Sequence, residues 1–511
     1  MRRSIATAAA LAACLALPAT ATASAEQESI FQDDPLIVYH SSYQQLLDTL
    51  SSIKNRGADR IRVPVFWHEL APRPGSRRRP RFRRGPASPG SYSRKFWQRY
   101  DQVVKTADAL GLGVLFSISG STPIWARQGS RRGPKPYPRL RDLRNFTRAV
   151  GTRYSGTYPD PSGARPVLPR VTHWSAWNEP NFLQFDYRAL LRKRGGARTR
   201  PMTPAVYRSV VDAIYAGLRR SGHGSDVFLL GETAPRRGGR RDPNGTIPPL
   251  QFVRGVYCLN ARFRPLRACR RGFVRRHPGL FNSAGWAHHP YTVNLPPSWD
   301  DPARKAVPIS ALGRLIDTFD RALFRWGGSE RPVWVTEYGI QTNPPDPNLD
   351  ISPDEQAAYL AESEFITYSN PRVASTGWFL LVDDRPRRFP RGRRNRSRRW
   401  VTWQSGLVTR SGQAKPAYDE YHHPIHVTGA GGQPRVFGQY RVAPDGAAIQ
   451  ARIEFLPSGG SAWQLLQAVT VTNRKGYLDT QVSPPGPGSL RIVWTDPVFG
   501  GEVPSRAVPV G

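Results

Sequence analysis

Two glutamates stand where a buried strand should not place one. The stretch Val171–Asn181 reads VTHWSAWNEPN and runs from β-prone residues into Trp177-Asn178-Glu179-Pro180-Asn181. Glutamate is rarely buried without a partner, and proline ends ladder pairing. The sequence therefore presents Glu179 at the mouth of a strand. The stretch Pro332–Thr342, PVWVTEYGIQT, does the same with Glu337 after Val333-Trp334-Val335. Two buried strands that each end in a carboxylate supply what acid and nucleophile chemistry on a glycosidic bond requires.

Strand, loop and helix alternate along the chain to position these acids. The predicted strands are Ser29–Tyr39, Asp59–Phe66, Leu112–Ser119, the Glu179 stretch, Val227–Gly231, Ser283–Ala287, the Glu337 stretch and Ala374–Val382. Between them lie amphipathic helices. Leu46, Leu50 and Ile53 share one face of Tyr43–Arg56, and Tyr207, Val210, Val211, Ile214 and Leu218 form a stripe after a Thr203 N-cap and Pro204. Ser352-Pro353-Asp354-Glu355 reads as a capping box. Such alternation implies a parallel sheet. Eight repeats over residues 28–424 imply an α/β fold, a closed (β/α)8 TIM barrel, whose catalytic groups sit at the C-terminal strand ends. From Val427 the apolar period becomes two, with short strands and Pro/Gly-rich turns. A small all-β sandwich is predicted over 427–511; it either binds glycan or packs against the barrel.

WNEPN on the fourth strand and TEYG on the seventh resemble glycoside hydrolase clan A, of the family 5 or family 39 type, between which the residues do not choose. The resemblance spans residues 28–424 and implies a retaining glycosidase. Glu179 would be the acid/base and Glu337 the nucleophile, with Asn178 on the sugar 2-hydroxyl. Arg62, in Ile61-Arg62-Val63-Pro64, would hold Glu337 ionised. His289 and Tyr291 match the family's His-x-Tyr after strand six, and Tyr291 would donate to Glu337. Trp378 would be the aromatic platform under the cleaved sugar, followed by a non-proline cis peptide to Phe379. Retention implies carboxyl groups about 5–5.5 Å apart. The chain departs from the pattern after strand three, which ends Ser117-Ile118-Ser119-Gly120 without the histidine some of these families carry; this speaks against the glucan-cleaving subgroup. Transglycosylation would use the same residues.

The remaining features bound the setting. Arg2-Arg3, the apolar run to Leu17 and Ala23-Ser24-Ala25 read as a cleavable signal peptide over 1–25, so a secreted chain is expected. Cys14 in Leu11-Ala12-Ala13-Cys14 makes a poor lipoprotein box, because so little apolar chain precedes it. No later run is long enough to span a membrane. Cys258 and Cys269 are close in sequence and expected to form a disulfide. The 14 Trp and 19 Tyr suit sugar stacking as well as core packing. Net charge is +36, with basic runs at Arg77–Arg84, Arg131–Arg141, Arg192–Arg200, Arg236–Arg241 and Arg385–Arg399, all in loops that follow strands. A positive field around the barrel mouth would favour an anionic glycan; a solvated surface on an arginine-rich chain is the other reading. The sequence contains no zinc-ligand cluster, G-x-S-x-G, phosphate-cradling loop or nucleic-acid module, and calls for neither metal nor cofactor. A monomer acting on carbohydrate is expected. The competing function is a non-catalytic carbohydrate- or wall-binding protein on the same scaffold.

Overall fold

The computed structural model describes residues 24–128, 137–182, 203–238, 246–269, 271–387, 399–429 and 433–511. Nearly all of the expected signal segment, with Cys14, lies outside these residues, as do Arg192–Arg200, half of the run at 236–241 and most of those at 131–141 and 385–399.

Eight strands close into a barrel: β1 Glu28–Gln32, β2 Arg60–Phe66, β3 Gly113–Ser119, β4 His173–Ala176, β5 Val227–Thr233, β6 Gly285–His288, β7 Val333–Val335 and β8 Val373–Phe379. Each pairs in parallel with the next, and β8 closes on β1. The helices that return the chain include α1 Tyr43–Asn55, α2 Arg94–Ala109, α3 Leu140–Arg153, α4 Thr203–Arg219, α5 Pro249–Val256, α6 Leu312–Phe324 and α7 Pro353–Tyr368. Strands buried on both faces read as continuous apolar runs, and β7, VWV, is such a run, buried throughout. One set of side chains, including Phe31, Val63, Phe116 and Trp286, packs outward against the helices. The alternate set, Ile30, Leu115, Leu229, Ala287 and Trp334, fills the barrel axis. The α6 stripe of Leu312, Leu315, Ile316, Phe319 and Leu323 is buried, and the Ser352–Glu355 capping box opens α7. The disulfide joins Cys258 to Cys269.

Two expectations fail locally. The first strand ends at Gln32, not Tyr39, because Asp33 caps a helix over Asp34–Ile37: its carboxylate accepts from Leu36 N at 3.0 Å, and Pro35 occupies the first turn. The Trp378–Phe379 peptide is trans; cis bonds among the described residues are Asn343–Pro344 and Pro344–Pro345. The chain leaves β8 through Leu380, at φ 86°.

The C-terminal strands are β9 Ile425–Thr428, β10 Arg435–Gln439, β11 Ile449–Pro457, β12 Gln464–Val471, β13 Tyr477–Gln481, β14 Gly488–Thr495, β15 Glu502–Pro504 and β16 Val508–Val510. They form antiparallel sheets β9-β10-β13 and β12-β11-β14-β15, with β16 also on β14. Val436, Ile449, Ile453, Phe455, Ile492 and Trp494 share their core.

This unit is seated on the N-terminal ends of the barrel strands. Arg441 is buried there; it donates to Ser29 Oγ at the start of β1 and to Glu364 on α7, and its guanidinium lies 4.3 Å from the Tyr421 ring. Lys475 Nζ lies 2.7 Å from Asp59 Oδ1, just before β2. Tyr368 packs against Phe437 and Tyr477. Gly57, at φ +85°, allows the approach: a Cβ there would lie 2.5 Å from Arg441 Cγ.

Candidate active site

At the other end of the barrel the axis turns polar. Arg62 on β2 has a fully buried side chain and uses it in four directions. Nε and Nη2 grip Glu232, at 2.9 Å to Oε1 and 2.7 Å to Oε2. Nη1 donates to Gln32 and, at 3.0 Å, to Glu337 Oε2. Nη2 also reaches Asn178 Oδ1 at 2.7 Å. Glu232 accepts further from Ser117 Oγ at 2.8 Å and Ser175 Oγ at 2.6 Å. This strand-end acid is therefore a saturated counter-ion for Arg62, fixing the guanidinium so that its remaining edge faces Glu337.

Glu337 follows β7. Its second oxygen, Oε1, accepts from Tyr291 Oη at 2.9 Å. Gly377 on the adjacent β8 leaves room for the Glu337 backbone, because a Cβ there would meet Glu337 N at 3.0 Å. Asn178 lines the cavity with its carbonyl oxygen committed to Arg62, so its NH2 group is the donor left for a ligand.

Glu179 sits on strained backbone: it has φ 42°, and Trp177 two residues earlier has φ 75°. Non-glycine residues keep such conformations only where surrounding structure over-determines them. The bonds that do so are visible. Glu179 N donates to Glu232 O at 3.0 Å. Asn181, fully buried, donates to Ala234 O and Ile247 O and accepts from Ala234 N. The two asparagines of WNEPN thus divide their work: Asn181 ties two loops together, and Asn178 faces the cavity.

Facing oxygens of Glu179 and Glu337 lie within 4.8 Å of one another. His289 Nδ1 stands between them, 3.2 Å from Glu179 Oε1 and 3.8 Å from Glu337 Oε2. Burial raises both carboxyls. Glu179 is held well above the usual carboxylate range, with the charge of Glu337 adding to burial and Arg62 and Arg236 opposing. Glu337 rises only to about 7, because Arg62 and the Tyr291 hydrogen bond counter its burial. Burial, with the positive charge of Arg62, keeps His289 far below its ordinary value and hence neutral. Of the two, Glu337 is therefore the first to ionise and Glu179 the one that keeps its proton longer.

Folding also gathers a possible ligand set that the sequence did not reveal, Glu179, His289 and Glu337, whose ligand atoms all lie within 4.8 Å of one another. It suits a divalent cation poorly. Arg62 already places a fixed positive charge 3.0 Å from one Glu337 oxygen, and Tyr291 takes the other.

These groups open into a cavity of about 830 Å³. Gln32, Asp34, Phe182, Arg236 and Arg237 are among the residues that line it, and Phe379 and Trp403 supply aromatic surface. Trp403 lies 4.8 Å from the Tyr291 ring and 5.7 Å from the Phe379 ring. Trp378 does not reach the cavity. It pairs with Phe31 in the barrel register, both point outward to the helices, and it is only 3 % exposed. The next residue along, Phe379, is the one that turns inward, and the larger ring comes from Trp403 on the loop after β8. Trp67, Trp125 and Trp174 are likewise core residues. His288 bonds to Thr233 Oγ1 and Val307 O, away from the acids. Gln32 and Asp34 join the site from outside the motifs, although Ile30-Phe31 running into three polar side chains repeats the strand-end signal of Glu179 and Glu337. Nothing in the local sequence marks Trp403.

No family model matches this sequence, and no curated protein aligns with it. Solved structures do resemble it. A glucosidase from Croceicoccus marinus matches with 12% identity and a TM-score of 0.48 over 90% of this chain and 96% of its own. A monomeric beta-xylosidase from Caulobacter crescentus CB15 matches with 12% identity and a TM-score of 0.46 over the same shares. An exo-beta-1,4-mannosidase from Opitutaceae bacterium strain TAV5 matches with 12% identity and a TM-score of 0.45 over 77% of this chain and 58% of its own.

Proposed function

We propose that this chain is a retaining O-glycoside hydrolase. The observation that carries the reading is the asymmetry of the glutamate pair. Two carboxyl groups face each other within 4.8 Å, and Arg62 and Tyr291 bond to only one of them. That separation suits direct attack by a carboxylate; an inverting site keeps its carboxyls about 6.5–9.5 Å apart to admit a water. Glu337, the ionised member, attacks the anomeric carbon. Glu179, the protonated member, gives its proton to the departing oxygen. With the leaving group gone, Glu179 is a carboxylate and takes a proton from water, whose oxygen displaces Glu337 and releases the sugar with its configuration retained. Asn178 donates to the sugar 2-hydroxyl, and Trp403 offers the ring on which the sugar rests. The basic n-region, apolar run and Ala23-Ser24-Ala25 support export of the chain before it acts.

A panel of aryl glycosides and polysaccharides, neutral and uronic, tests the proposal, with Glu337→Gln and Glu179→Gln as controls. Turnover should release the sugar with retained configuration, read by NMR during the first minutes. Glu337→Gln should abolish it. Glu179→Gln should lose about 10²–10⁴-fold on poor leaving groups and much less on activated ones, which need no proton. Inverted product, or activity that survives Glu337→Gln, would sink the mechanism.

A further inference from the structure

The walls of the cavity carry opposite charge. Gln32 and Asp34 stand at the end of β1; the loop after β5 brings Arg236 and Arg237. Arg237 is committed: its Nε lies 2.9 Å from Oδ1 of buried Asp301, whose carboxylate also accepts from the backbone of Ala303, Lys305 and Ala306. Arg236 is not. It is exposed at the cavity edge, its guanidinium lies 5.8 Å from the Phe182 ring, and among the described residues no acid pairs with it. Phe182, beside Arg236, donates its backbone N–H to Glu179 O at 3.0 Å, whereas Asp34 accepts at 3.0 Å from Gln32, which shares Arg62 Nη1 with Glu337.

A retaining site gives these walls a direction. The acid stands beside the glycosidic oxygen and the nucleophile beneath the anomeric carbon. The Arg236 side therefore receives the leaving group, and the Asp34 side holds the sugar whose bond is cut. A guanidinium matches a carboxylate with paired hydrogen bonds, while a carboxylate on the cleaved sugar would be set against both Asp34 and Glu337. Resting on the retaining-glycosidase reading, we propose that the substrate is a glycan in which an uncharged sugar is linked to an acidic residue, and that Arg236 binds the carboxylate of that residue on the leaving-group side.

Paired substrates test this: 4-carboxyphenyl and 4-carbamoylphenyl glycosides of the same sugar, over a set of neutral and uronic sugars. The native protein should favour the carboxylate by about tenfold or more in kcat/KM at low salt, and added salt should erode the preference. Arg236→Gln should bring the ratio close to that of the intrinsic leaving groups. Arg236→Lys should keep part of the preference, and Arg275→Gln, an equal loss of charge on an exposed residue after α5, should keep all of it. Circular dichroism confirms that each variant is folded. Equal turnover of both members, or a preference that survives Arg236→Gln, overturns the proposal; faster cleavage of uronic than neutral sugars overturns its second half. If no glycoside is cleaved, the hydrolase reading fails by itself. Calorimetric titration with a neutral sugar linked to a uronic acid then decides the anion site: Arg236-dependent binding upholds it, and no binding removes it too.

Discussion

Arg62 and Glu337 meet at 3.0 Å on the one edge of the guanidinium that Glu232 leaves open. The nucleophile candidate is therefore held by a cation whose own position is fixed from behind. Removing Arg62 does two things at once. Arg62→Met leaves Glu232 buried without its partner, and loss of one member of such a pair costs about 3–5 kcal/mol; the melting temperature should fall sharply. Arg62→Lys keeps the charge but loses the fork. It should remain folded, with reduced kcat/KM and an acid limb moved upward, because Glu337 loses the contact that restrains its pKa. An unmoved limb would show that Arg62 serves the fold alone.

The pH profile follows from the unequal pair. Activity needs Glu337 charged and Glu179 protonated. Burial with Arg62 opposite sets Glu337 at about 7, and Glu179 lies well above the usual range. As pH rises, the first proton leaves the Glu337 side, so kcat/KM should rise through about 7 and fall only at higher pH. The two limbs belong to the coupled pair. In Glu179→Gln the alkaline limb should vanish on activated substrates. A profile that already declines between pH 5 and 7 would contradict the assignment.

Trp403 and Trp378 should behave as different kinds of residue. Trp403→Ala removes a cavity ring worth about 1 kcal/mol in stacking, and KM should rise roughly fivefold with little change in melting temperature. Trp378→Phe trims the shell between barrel and helices. It should cost about 1–3 kcal/mol of stability and leave the KM of the folded protein alone. The opposite pattern would restore Trp378 as the platform.

Arg441 joins the two units through buried contacts to Ser29 and Glu364. Arg441→Ala should cost about 3–5 kcal/mol, and calorimetry of the native chain should show barrel and sandwich melting in one transition. Two separated transitions would mean that the units are independent.

The order of barrel elements was legible because parallel strands buried on both faces are largely apolar, and their polar ends stand out. Glu179 and Glu337 come into view that way, and Asn178, His289 and Tyr291 through the motif resemblance; the structure brings all five together, with His289 buried behind the two acids. The reading broke where a single residue of register decides direction. Trp378 and Phe379 are equally aromatic and adjacent, and only pairing with Phe31 shows which one faces out. It broke again at Asp33-Asp34-Pro35, where a capping signal ended the first strand early. Glu232 carries the same strand-end signal as the other two acids; its four donors, which come from three other strands, set it apart. Trp403 arrives from a loop, and loops keep no period.

The sandwich is seated on the strand starts, while Glu179 and Glu337 open at the strand finishes. A glycan resting on the sandwich is thus out of reach of the acids: the barrel itself stands between holding and cutting. If the protein is tethered through its C-terminal unit, the mouth faces away from the support, so an immobilised chain presents its chemistry to whatever diffuses past rather than to the surface that carries it.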